Sequence, residues 1–231
     1  VTSGYKTNGM ANDSSKRLAR KVKGDLEGIS STVRFCLGNH DLGYNDFGGN
    51  NNGKPTPFNY DSVSTAQEIF GDFYWTESSN GVTHIGVCSP IAEYEGTDRN
   101  IRKIQKDQLS FVGDTISSTD GQFNFYIHNP KSVKLFQGVI EPHSEKMREI
   151  FYGDVHGPMG EKTFKLASTL KGGFMKEISY KSTLCPSVIP AWWRGEHILE
   201  MQSDQNGNRV TKVDLSGIGE KTNMSTSSFL K

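Results

Sequence analysis

The tetrapeptide Gly38-Asn39-His40-Asp41 follows directly on the apolar run Val33-Arg34-Phe35-Cys36-Leu37. An amide, an imidazole and a carboxylate in consecutive positions can ligate a cation, carry a proton and fix one another's protonation. Two further clusters share this chemistry. His128-Asn129-Pro130 follows Phe123-Asn124-Phe125-Tyr126-Ile127, and Gly153-Asp154-Val155-His156-Gly157 follows Ile150-Phe151-Tyr152. Each apolar run reads as a strand, so each cluster sits at a strand's carboxyl end, where open α/β sheets bind ligands. If those strands are neighbours in one sheet, the three clusters converge. Together their donors suit divalent Mn, Fe or Zn, and a mixed set can hold two ions that clamp a phosphate and lower the pKa of a bound water. Asp154 and His156 are two apart, so on an extended segment they point the same way.

The elements that must position these clusters follow from periodicity. Leu18, Val22, Leu26 and Ile29 recur at helical spacing behind the cap candidates Asp13, Ser14 and Ser15, which predicts a helix over about residues 14 to 29. Strands are expected at Thr83 to Cys88, Phe123 to Ile127 and Glu149 to Tyr152, with a helical stripe at Ile101, Ile104, Leu109, Val112 and Ile116 between them. Strands alternating with helices indicate a layered α/β domain. In the last third, Lys176 to Thr183, His197 to Gln202 and Val210 to Leu215 alternate as strands, and Asp204-Gln205-Asn206-Gly207-Asn208 reads as a hairpin turn. Gly43 to Pro57 is dense in Gly, Asn and Pro, which predicts a long loop beside the first cluster.

One domain over residues 1–218 suits the 231-residue length, with a loose polar tail at 219–231. Lys plus Arg and Asp plus Glu number 26 each, so no basic field exists to gather nucleic acid, and none is expected as a partner. No apolar run approaches the roughly 20 residues of a spanning helix, and no signal peptide is visible. The compartment stays open. The chain starts Val1-Thr2-Ser3 without Met, which reads as a processed or cleaved end with something upstream. Cys36, Cys88 and Cys185 are too scattered for a disulfide framework. His84, His143 and His197 lack clustered partners and read as surface or satisfied core groups, and Trp192-Trp193 reads as packing.

The order of the clusters resembles that of the calcineurin-like metallophosphoesterases, on their acid-sphingomyelinase-like and purple-acid-phosphatase-like side. Their signature runs Asp-x-His, Gly-Asp-x-x-Asp, Gly-Asn-His-Asp/Glu, a lone His, then Gly-His-x-His. Gly38 to Asp41 matches the third motif, His128 the fourth, and Gly153 to His156 the fifth at three of four positions. Cys185-Pro186-Ser187-Val188-Ile189-Pro190 looks like the segment that follows in acid-sphingomyelinase-like members. The resemblance implies a four-layer αββα sandwich lacking its first strand or strands, and a phosphomonoesterase or phosphodiesterase with two divalent metal ions. It makes Asn39 and His128 ligands of one ion and His156 a ligand of the other. His40 becomes the group that protonates the leaving oxygen or steadies the phosphoryl oxygens, with Asp41 orienting it.

Asp154 stands where the family has His, adding a negative charge that alters metal preference. The first two motifs do not occur ahead of Gly38, so an upstream segment or a partner chain would have to complete the site. The rival expectation is a degenerate copy of the fold, a pseudoenzyme serving as a structural or interaction module in a larger assembly.

Overall fold

The amphipathic pattern near the amino end folds as α1 (Asp13–Glu27) in the computed structural model. This structure describes residues 13–28, 32–42, 59–153, 160–169, 175–184, 197–204 and 207–214. On α1 the buried line is Ser15 and Ala19, with Leu18 and Val22 half-buried beside it. Leu26 of the expected stripe is exposed instead. Lys21 with Asp25 and Lys23 with Glu27 pair one turn apart along the helix. Arg20 reaches Glu68 at 3.2 Å, tying α1 to a later helix.

From Thr32 to Gly38 the chain is neither helix nor paired strand, which corrects the strand expected at Val33 to Leu37. The run is apolar because Phe35 and Leu37 are buried among helices, in a core with Ala19, Val63, Phe70, Phe73 and Ile91. Side chains meet its backbone carbonyls where a strand would offer peptide N–H groups. The Trp75 indole donates to the Phe35 carbonyl at 3.1 Å, and the Cys88 thiol contacts that of Leu37 at 3.8 Å. The single turn α2 (Asn39–Leu42) follows.

Helix α3 (Tyr60–Phe70) starts where the Asn59 side chain accepts the Ser62 N–H and stops at Gly71, whose φ of 83° only glycine adopts readily. Strands β1 (Trp75–Ser79) and β2 (Val82–Gly86) form a hairpin closed by Asn80 and Gly81, both with positive φ of 51° and 76°. Short α4 (Ser89–Ala92) leads to α5 (Arg99–Ser118), capped by Asp98. The buried stripe of α5 is Ile101, Gln108, Val112 and Ile116, so Gln108 is buried where Leu109 was expected, and Leu109 faces out.

Strand β3 (Gln122–Ile127), a 3-10 helix at Pro130–Phe136, α6 (Gln137–Ile140), a further 3-10 turn at Glu141–His143 and β4 (Met147–Tyr152) come next. Beyond them lie β5 (Gly160–Thr169), which sequence periodicity did not mark, then β6 (Met175–Leu184), β7 (His197–Asp204) and β8 (Gly207–Asp214).

These strands make a mixed α/β architecture. One sheet has six strands in the order β1-β2-β3-β4-β6-β5, and β7 and β8 form a separate two-stranded ladder. Strands β2, β3, β4 and β6 run parallel, while β1 and β5 are antiparallel edges. Parallel neighbours need crossovers, which α4 with α5, and the 3-10 helix with α6, supply. Alternate residues Phe123, Phe125 and Ile127 pack with Ile85, Ile150, Val112, Ile116 and Phe136 in the second core.

The β7–β8 register closes at Asp204 and Gly207, as the hairpin turn in the sequence predicts. No helix among the described residues is long and apolar enough to cross a membrane. The loop at Gly43 to Pro57, Cys185 to Pro190, Trp192-Trp193 and the tail at 219–231 lie outside the described residues, as do Asp154 and His156.

Candidate functional site

Parallel pairing of β3 with β4 sets Ile127 opposite Tyr152, so the next residues, His128 and Gly153, emerge side by side at the carboxyl edge of the sheet. The Gly153 N–H donates to the His128 carbonyl at 3.0 Å, extending the ladder one step past both strands. Gly38 closes on the same imidazole from another part of the chain. A Cβ on Gly38 would lie 2.5 Å from His128 Nε2, and one on Gly153 would lie 3.4 Å from Nδ1. The ring packs closely on the Gly38 backbone, where a side chain would force it to shift, and Gly153 approaches it at ordinary contact distance near Nδ1.

Held there, His128 Nε2 stands 3.3 Å from the Asn39 Oδ1. With a proton on Nε2 the contact is a hydrogen bond; with the proton on Nδ1, two lone-pair atoms face each other. Two ligands about 2.1 Å from one ion are separated by roughly 3.0–3.4 Å. The imidazole and amide oxygen of this pair therefore fit one edge of a cation's coordination shell. Asn39 is 8 % exposed, while His128 is half-buried.

The Gly38–Asp41 turn is closed twice. The Asp41 carboxylate accepts the Gly38 N–H at 2.9 Å, and the Asp41 N–H donates to the Gly38 carbonyl at 3.1 Å. Buried Asp41 thus stabilises the turn that aims Asn39. Its expected service to His40 is a separate matter, because the backbone of His40 lies in α2 while its side chain is outside the described set. The structure therefore brings together Gly38, Asn39, Asp41 and His128, with Gly153 at the edge. Asp154 and His156 fall just past the last described residue of that segment.

A supporting layer went unread in the sequence. Gln108, fully buried on α5, accepts the Cys88 N–H at 2.8 Å and donates to the Cys88 carbonyl at 3.2 Å. Gln105, one turn earlier, donates to the carbonyls of Ala92 and Tyr94. Its neighbour α4 offers Ser89 Oγ to the Asn129 N–H at 2.8 Å and Glu93 Oε1 to the Asn129 amide at 2.8 Å. The one sequence signal was Gln108 itself, a polar residue four positions from Val112 and seven from Ile101 on an apolar stripe.

Two other titratable groups, Cys88 and His84, have defined structural roles. Burial pushes the Cys88 thiol pKa well up, so it is an inert packing group. His84 is satisfied at both ring nitrogens, by Ser79 Oγ at 3.1 Å and the Tyr126 hydroxyl at 2.9 Å. Burial lowers its pKa, Arg148 adds to that effect, and Glu77 opposes it. Among the described residues no three His, Cys, Asp or Glu side chains form a metal-holding group. No protein-family model, no curated protein and no solved structure matches this chain.

Proposed function

We propose that this chain acts as a metal-dependent phosphoesterase that hydrolyses a phosphomonoester or phosphodiester. One observation supports the reading above the others: His128 Nε2 and Asn39 Oδ1, from separate parts of the chain, face each other at 3.3 Å beside the sheet's carboxyl edge. In this reading Asn39 and His128 hold one divalent ion, and His156 with Asp154 serves the other. Bound Mn, Fe or Zn would supply Lewis acidity toward the phosphoryl oxygens. An upstream segment or a partner chain contributes the remaining ligands, and the whole domain is a four-layer αββα sandwich of metallophosphoesterase type.

The chain's own residues divide the remaining work. His40, next to Asn39 on the α2 turn, holds the proton that the leaving oxygen needs, a task suited to an imidazole near neutral pH. Asp41 keeps that turn closed through the Gly38 N–H.

The test is hydrolysis of p-nitrophenyl phosphate and bis(p-nitrophenyl) phosphate by the protein purified from its native source, with and without chelator. Turnover that chelation abolishes is expected, and His40→Ala should lower kcat by about 10²–10⁴-fold while metal content stays constant. Turnover unchanged in His40→Ala would sink the assignment, and no chelator-sensitive turnover at all would favour the degenerate-fold alternative.

A further inference from the structure

We infer that α4 is a positioning platform for His128, and that Ser89 and Glu93 are the residues through which it acts. The inference deepens the phosphoesterase reading and rests on it only for the metal. Beyond the ring's contacts with Gly38 and Asn39, the orientation of the imidazole depends on the peptide groups that flank it. On one side, the His128 carbonyl accepts the Gly153 N–H at 3.0 Å. On the other, the Asn129 N–H donates to Ser89 Oγ at 2.8 Å, and Ser89 is 1 % exposed.

Asn129 is held at its side chain too. Its Nδ2 donates to Glu93 Oε1, which also accepts the hydroxyl of buried Ser132, while its Oδ1 accepts the Lys131 N–H. One acceptor oxygen receiving donors from both Asn129 and Ser132 pins the start of the 3-10 helix to Glu93. The platform is itself clamped from α5. Gln108 takes both polar groups of the Cys88 peptide at one end of α4, and Gln105 takes the Ala92 and Tyr94 carbonyls at the other. A hydrogen-bonded path thus runs from α5 through α4 to Asn129, the residue next to the imidazole that faces Asn39. Groups bonded directly to a ligand commonly alter metal affinity by about 10–100-fold when removed, and Ser89 and Glu93, which act through the adjacent residue, belong at the low end of that range.

The experiment uses the 231-residue chain with labelled histidine, at one fixed pH, and follows the ring nitrogen resonances of His128, assigned by their loss in His128→Gln. Manganese chloride is then titrated into each variant. Ser89→Ala and Glu93→Ala should shift or broaden the His128 ring signals while melting remains cooperative. Glu93→Gln keeps an acceptor oxygen and should restore the native ring signals. If the native chain binds manganese, the two alanine variants should weaken that binding about tenfold, and Glu93→Gln should stay close to native.

Unmoved ring signals in both alanine variants would overturn the inference, as would a Glu93→Gln variant as perturbed as Glu93→Ala. The outcomes separate it from the reading it deepens. Ring signals that move in a chain that binds no manganese uphold the platform and show that the residues of this chain alone do not hold the ion. Manganese binding with an indifferent ring does the reverse.

Discussion

The two halves of the candidate site reach it by different routes. His128 and Gly153 arrive at the ends of β3 and β4, which are paired residue by residue in a parallel ladder. Asn39 arrives on a segment that no ladder holds, pinned by the Trp75 indole, the Cys88 thiol and the burial of Phe35 and Leu37. A laddered strand draws its precision from regular peptide hydrogen bonds. Among the described residues, the 32–42 segment is met by side chains such as Trp75 and Cys88, which can be removed singly. The contrast teaches that the Asn39 side is the adjustable half and the His128 side the fixed reference.

Gly38→Ala should break the comparison most severely, because it sets the two halves against each other. The new Cβ would meet the His128 ring at 2.5 Å, and the ring would have to leave its contact with Asn39 to make room. Overpacking of this kind costs about 1–3 kcal/mol. Loss of the native His128 ring environment together with a lowered melting temperature is expected. A native-like ring spectrum would show that the close contact yields without displacement.

Trp75→Phe tests the pinned half alone. It deletes the indole donor to the Phe35 carbonyl, a bond worth about 1 kcal/mol, and shrinks the ring that lies over Gly86. Amide exchange should quicken across residues 32–42 and change little in β3 and β4. Equal acceleration in both regions would mean that the two halves are one cooperative unit.

The smallest expected effect concerns the laddered half and acidity. Burial holds the folded His84 pKa below its ordinary 6.5, so on acidification the unfolded chain takes up that proton first. Stability from this group is complete above about pH 6.5, declines as the pH falls toward the lowered folded value, and then levels off. Melting temperatures measured from about pH 8 to 5 should decline less in His84→Gln than in the native chain. Identical slopes would remove His84 from the account.

Legibility from sequence follows the same division. Residues 122–127 and 147–152 were readable because their apolar alternation is a local property, and β3 and β4 formed within two residues of expectation. Val33 to Leu37 has the same local signature, yet it pairs with no strand, since apolarity records burial and not the identity of the neighbour. The β1–β2 hairpin carried a legible signal, Asn80-Gly81, that polar flanking residues obscured. The grouping of Asn39 with His128 was conditional on adjacency, which depends on packing across the whole domain. Ser89, Glu93 and Gln108 were illegible for a related reason: each bonds a backbone or amide group far along the chain, and no spacing rule announces such a bond.

The meeting of Asn39 with His128 has a consequence in time as well as in space. Asn39 and His128 are 89 residues apart in the chain, so their meeting closes a long loop, and contacts of that separation slow the folding transition. Donor pairs adjacent in sequence can capture an ion in an unfolded or nascent chain. This pair exists only once the sheet and the 32–42 segment have docked. The imidazole signal of His128 would therefore report completed folding, switching on after secondary structure has formed and vanishing first when the segment lifts away.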